Sequence, residues 1–271
     1  MRIRSIWIGL ATFVAVTWTL GAAQTMPSIT VANKNSVLLE IIPIDQAHAS
    51  KIPASLGPVA ASLPVGSFLL FNHTGTPITV VVATWSYWDK AGNMQPRKIY
   101  CDGFYLSPAD VQVSANDLAL VTPDGCVRQE YFAHMAAGKP MLGSPLQSGL
   151  NQSLVADRNN TASVQISIDS VIFADGGIWG PDTLRYSPAI LERYIARQSV
   201  VKEIDTAKAA GENVDSHLES IQAEARARKD KPSNLRAHIA RSLQSSTNRE
   251  GTLKWLREQA PPPQFHHIGE Q

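Results

Sequence analysis

Cysteine is scarce in this chain: Cys101 and Cys126 are the only two among its 271 residues. That excludes a disulfide-dense scaffold and a Cys-x-x-Cys redox pair, and two sulfurs without neighbouring histidines do not make a zinc site. An excess of charge is missing too. The formal net charge is +1, and the last 90 residues carry 14 Lys and Arg against 12 Asp and Glu, so the clustered basic surface of a nucleic-acid binder is lacking. G-x-S-x-G, the phosphate loop, the dinucleotide-binding glycine pattern and H-E-x-x-H are all absent, which removes the common serine hydrolases, nucleotide-binding folds and zincins. Between Asp175 and Asp182 the alternating carboxylates of an EF-hand loop are missing. The seven histidines are scattered, and His266-His267 reads as a solvated pair. No catalytic residue, cofactor or metal site is therefore expected.

What is present begins with Arg2 and Arg4 ahead of an apolar run from Ile6 to Leu20, closed by the small residues Gly21-Ala22-Ala23. This pattern predicts a secretory signal peptide over 1–23 and hence a periplasmic or extracellular address. A retained membrane anchor is the alternative, since Ile6 to Ala23 is 18 residues, the lower limit for a span. Removal of the leader takes the side-chain charge from +1 to about −1, by the same formal counting. In an exported chain two cysteines predict one disulfide, Cys101 to Cys126. Closing a loop of about 26 residues stabilises by roughly 3 to 4 kcal/mol.

The clearest strand is at Ser163 to Phe173. Val164, Ile166 and Ile168 alternate with polar residues, and the alternation then fails at Ser170, which predicts a bulge or burial of both faces. Asp175-Gly176 turns the chain into a short return strand at Ile178 and Trp179. Further strands are read at Ser36 to Asp45, Val65 to Phe71, Thr76 to Asp89, Ile99 to Leu106, Val111 to Ala115 and Leu118 to Val121, with turns at Asp89 to Asn93 and Thr122 to Gly125. Residues 24–35 read as a loose arm, and Ala136 to Asn160 as a long Gly- and Pro-rich loop. In the Thr76 strand both faces are apolar from Val80 to Ala83, so something must cover the outer one.

Beyond a boundary near Pro181 the spacing becomes helical. Ser187-Pro188 reads as an N-cap followed by proline at the first helical position. Four helices are predicted, at Ser187 to Gly211, Val214 to Lys229, Asn234 to Leu243 and Thr252 to Gln259. The first is the natural cover for Val80 and Val82. The later ones have too little apolar surface for a separate core and pack on the first helix, on a partner or hardly at all, and 260–271 reads as a disordered tail.

Asn72, Thr76-Pro-Ile-Thr79 leading to Trp85, and Val171-Ile-Phe-Ala-Asp-Gly176 followed by Gly180-Pro-Asp182 and a charged helix resemble exported immunoglobulin-like β-sandwich proteins of Acidobacteria. The likeness runs over roughly 68–205. It implies the fold and carries no activity or site residues. Cys101 and Cys126 are not expected of that group, so the disulfide rests on its own argument.

The expected architecture is mainly β: an antiparallel immunoglobulin-like β-sandwich over 24–181, a helical extension over 182–259 and a disordered tail over 260–271. The expected function is that of a non-enzymatic exported module whose partner is another protein, neither nucleic acid nor, once the leader is gone, a membrane. The alternative is a carbohydrate-binding or carbohydrate-active protein using Tyr87, Trp88, Tyr100 and Tyr105, because aromatic rings stack on sugars and peptides. For hydrolysis Asp89 and Asp102 are the one carboxylate pair that can be nominated.

Overall fold

A computed structural model describes residues 27–33, 36–60, 63–103, 112–137 and 160–268. The leader, Tyr105 and the 138–159 part of the long loop lie outside them. Among the described residues there are ten strands: β1 (Ser28–Val31), β2 (Leu39–Pro43), β3 (Phe68–Asn72), β4 (Ile78–Asp89), β5 (Met94–Asp102), β6 (Leu118–Thr122), β7 (Gly125–Arg128), β8 (Thr161–Phe173), β9 (Gly177–Trp179) and β10 (His266–His267). The helices are α1 (Gly57–Ala60), α2 (Phe132–Ala136), α3 (Tyr186–Ala209), α4 (Val214–Arg228), α5 (Lys231–Ser245) and α6 (Arg249–Glu258). With 38% helix and 31% strand the fold is mixed, a correction to the mainly β expectation. The reason is that all four C-terminal segments are helical over their full amphipathic length.

A six-stranded sheet runs β10-β9-β8-β4-β5, with β1 also on β8, and a four-stranded sheet runs β2-β3-β6-β7. One edge of β8 is thus shared, by β1 at Ser163 to Ile166 and by β9 at Val171 and Ile172. Between them the Asn33 side chain imitates a strand, donating to the Ile168 carbonyl at 2.9 Å and accepting from its N–H at 2.6 Å. The loose arm is therefore partly a strand, and both β1 and β10 pair in parallel, against the wholly antiparallel expectation.

Period two then builds the core. Val81, Ala83 and Trp85 of β4, with Val164, Ile166 and Ile168 of β8, meet Leu39, Ile41, Phe68, Leu70, Ala119 and Val121 of the smaller sheet in one buried cluster. The predicted bulge falls at Asp169: Val82 pairs with Ser170 while Ala83 pairs with Ile168. The extra residue shifts the register, so Val171 returns to the inner face. The Asp169 carboxylate points at the chain after β9, accepting from the Thr183 N–H at 3.0 Å, the Thr183 hydroxyl and the Leu184 N–H at 3.2 Å.

Cys101 in β5 is bonded to Cys126, with 5.9 Å between Cα atoms. Cys126 lies within β7 and not in a loop, since the Thr122–Gly125 turn is tight enough for pairing to resume at once. The bond therefore joins the edge strands of the two sheets, and Arg97 reinforces it by donating to the Pro123 carbonyl at 2.8 Å and to Asp124 at 2.6 Å.

The outer faces are covered differently. On the smaller sheet, Ile42, Leu69, Leu118, Leu120 and Val127 pack under Leu56, Leu63 and Phe132 from the neighbouring loops and α2. On the larger sheet, Val80, Val82, Ile172 and Ile178 are buried against Tyr186 and Ile190, so α3 does cover the β4 strand. Its start differs from the sequence reading. Ser187 does not cap; Arg185 holds the left-handed cap position, and Asp182 accepts from the Tyr186 N–H at 2.8 Å and from the Ser187 N–H and hydroxyl. A carboxylate accepts more donors than a hydroxyl, which suits it to several orphan N–H groups.

The far half of α3 meets α4, α5 and α6 in a second cluster of Val200, Val201, Ile204, Leu218, Ile221, Ala240, Leu243, Leu253 and Leu256. Of the three arrangements open to the later helices, packing on the first helix is the one found, because α3 supplies the surface that each lacks alone. Within the tail expected to be disordered, His266 and His267 return to the sheet as β10, and 269–271 lie outside the described residues.

Candidate functional site

The α3 cover stops short. Residues of β4 beyond Val82 continue outward as Thr84, Ser86 and Trp88, and antiparallel pairing sets Lys98, Pro96 and Met94 of β5 opposite them. On the other flank Ser167, Gln165 and Ser163 of β8 complete the rows, with Thr30 and Ser28 of β1 beside the last two. No described helix is seated on this half of the face. Met94 is 51% and Tyr100 49% exposed, while Trp88 is half-buried. The composition is hydroxyl and amide with one cation, Lys98, and three apolar groups at the β5 side.

The hairpin that positions Trp88 opposite Met94 is held by Asp89. Its carboxylate accepts from the N–H groups of Ala91 and Asn93 and from the Asn93 amide, each at 2.8 Å. The Asn93 side chain, followed by its backbone N–H, holds the Asp89 carboxyl below the usual range. Asp89 is thus a turn-former, spoken for by backbone donors.

At the other end Tyr100 stacks on Tyr186, centroids 5.0 Å apart and planes within 17°. Beneath them Asp102 accepts from the Tyr186 hydroxyl at 2.7 Å and from Arg193 at 3.3 Å, and the Arg193 guanidinium lies 4.8 Å from the Tyr186 ring centre. Burial, and after it the Asp102 carboxylate, pushes the Tyr186 phenol well above its ordinary value. A neutral phenol donating to a buried carboxylate is an anchor for α3 against the sheet.

The nominated residues therefore separate. Tyr87 points inward, its hydroxyl donating to the Val65 carbonyl at 3.0 Å, and burial raises its pKa. It leaves the ligand surface because one residue of shift along a strand changes the face. Trp88 and Tyr100 do share the outer face, about 20 Å apart along the strands at ~3.3 Å per residue. Asp89 and Asp102 cannot act together: Asp102 pairs with Val80, which puts the two carboxylates about 30 Å apart by strand rise, against roughly 5 to 9.5 Å in glycoside hydrolases. Met94 and Lys98 were missed by sequence reasoning. Counting back across the Asp89–Asn93 turn would have found them, because the turn fixes the register.

Among the described residues no three His, Cys, Asp or Glu side chains gather as metal ligands. Asp175 and Asp182 accept backbone N–H groups in a turn and at the start of α3. A hollow of about 110 Å³ lined by Val65, Tyr87, Gln95, Arg97 and Thr161 lies below the hairpin, small for an organic ligand, which needs about 300 Å³ or more. Among the described residues this end of the sheet thus presents a face and not a pocket of ligand size. No protein-family model matches the chain, and no curated protein or solved structure matches it either.

Proposed function

We propose that the chain is an exported, non-enzymatic binding module built on an immunoglobulin-like sandwich, with the open half of the larger sheet as its working surface and another protein as its partner. The observation that carries this reading is the contrast between covered and open sheet surface. Loops and α3 bury the other outer faces, whereas exposed Met94 and half-buried Trp88 are left beside rows of hydroxyl and amide side chains, with Tyr100 at the border of the α3 cover. Aromatic side chains and Met are enriched at the centres of protein interfaces. Leu191 and Ile195, exposed on α3, add apolar surface on the same protein.

The address is supported by the leader sequence and by the disulfide, which persists in oxidising compartments. Among the described residues no helix is long and apolar enough to cross a membrane. The immunoglobulin-like reading is supported by Trp85 on a central strand and by a bond between sheets. It departs from antibody domains in placing that bond between edge strands. The resemblance to the exported acidobacterial group over 68–205 is part of the same proposal.

A second reading, carbohydrate binding on the same face, is favoured by one observation: Thr84, Ser86, Ser163, Gln165 and Ser167 form two polar rows beside Trp88. Hydrogen exchange of the full chain tests the first reading, with and without the soluble proteins of its own compartment. Slowed amides over 84–88 and 94–100 support it. Unchanged exchange there, together with slowing by purified envelope glycans, transfers the face to the second reading.

A further inference from the structure

The C-terminal residues end on the far edge of the larger sheet from β5. His266 pairs with Gly177 and His267 with Ile178, in parallel. Backbone bonds hold them, among them His266 N–H to the Gly176 carbonyl at 3.1 Å and Ile268 N–H to the Ile178 carbonyl at 3.0 Å. Phe265 packs with the outer cluster around Val80, Ile172 and Ile178, while Ile268 packs with the inner core. The tail therefore grips the sheet edge from both sides. The acceptor is shaped for backbone: Gly176 has φ of +93°, and a Cβ there would lie 2.4 Å from the Gln264 carbonyl oxygen.

This strand is joined to α6 by Gln259-Ala-Pro-Pro-Pro263. Three successive prolines donate no backbone hydrogen bond and hold the chain extended at about 3.1 Å per residue. The tail is thus a short, separately docked strand on a stiff arm.

We propose that β9 is a strand-accepting site exchangeable between two copies of this chain, residues 264–268 of one copy docking on β9 of the other. Strand addition at a sheet edge takes its affinity from main-chain bonds and its selectivity from side-chain pockets. A foreign peptide would have to displace a resident held at an effective concentration of about millimolar. A second copy carries no such handicap, because reciprocal exchange refills each acceptor with the same contacts.

The test is the light-scattering mass of full-length protein over a concentration series after a mild warming step, beside the full-length F265A/I268A variant. The wild type is expected to show a concentration-dependent doubling of mass and F265A/I268A to stay monomeric. Mixing F265A/I268A with a full-length Gly176→Val chain, which keeps its tail but blocks its acceptor, is expected to give a dimer of one chain of each. Should Gly176→Val fail to fold, the first comparison decides alone. A wild type that stays monomeric at every concentration overturns the proposal. So does a dimer that survives in F265A/I268A, which would place the interface elsewhere.

Discussion

Trp85 donates from Nε1 to the carbonyl of Gly66 at 2.8 Å, and a Cβ on Gly66 would sit 2.8 Å from Cδ1 of the same indole. The largest fully buried side chain among the described residues is thus seated against a bare backbone held at φ of +85°. Gly66→Ala is expected to lower stability by about 1 to 3 kcal/mol, from left-handed strain and from displacement of the ring. Trp85→Ala is expected to lose more, about 3 to 5 kcal/mol. Urea unfolding followed by tryptophan fluorescence reads both, and an unchanged midpoint for Gly66→Ala contradicts the packing described.

Reduction of the Cys101–Cys126 bond leaves Arg97, donating to the Pro123 carbonyl and to Asp124, to link the two sheet edges. With a sequence separation of 25, the C101S/C126S chain is expected to be destabilised by roughly 3 to 4 kcal/mol on the chain-entropy account. The comparison of denaturation midpoints under oxidising and reducing conditions should show the same difference in the wild type and none in the variant.

Tyr186 is the hinge pin between α3 and the sheet. Tyr186→Phe keeps the ring on Tyr100 and removes the donor to a buried carboxylate, for an expected loss of about 1 to 3 kcal/mol. Asp182→Ala should cost about 0.5 to 2 kcal/mol as a lost helix cap. Hydrogen exchange should place the increased opening in residues 186–193 in both cases, with β2 and β3 unaffected.

Acid acts on the helical cluster through Asp205, which takes both guanidinium donors of Arg257 from α6. Arg257 holds the Asp205 carboxyl below its ordinary value. The contribution of this pair is therefore complete above the unfolded carboxyl pKa of about 3.9 and is lost as pH falls through the lower folded value. Both side chains are more than a third exposed, so the effect is held to less than about 1 kcal/mol and shrinks with added salt. An Asp205→Asn chain should show a shallower loss of helix stability between pH 5 and 2, by about the same amount, in circular dichroism titrations.

Much of this fold was legible in the sequence, and the reasons are local. The Asp169 bulge was readable because Ser170 interrupts an otherwise strict alternation, and the cover over Val80 and Val82 because a strand with two apolar faces requires one. The four helices followed from their spacing. What escaped depends on distant partners. Pro96 and the charges of Arg97 and Lys98 hid the first half of β5, whose strand state comes from pairing with β4. The short strands β1 and β10 have no periodicity to read and exist because one edge of β8 and that of β9 were left open. At the candidate site, Trp88 and Tyr100 were visible as aromatics, but the face on which each lies came only with the register.

The claim that the open sheet half is the working surface is tested most directly by a photo-crosslinking side chain at Ser86, compared with one at exposed Glu219 on α4, in cells producing the full-length protein. The account expects one discrete protein adduct from position 86, lost on Trp88→Ala, and none from position 219. Equal labelling from both positions, or none from 86 in folded, exported protein, would contradict it.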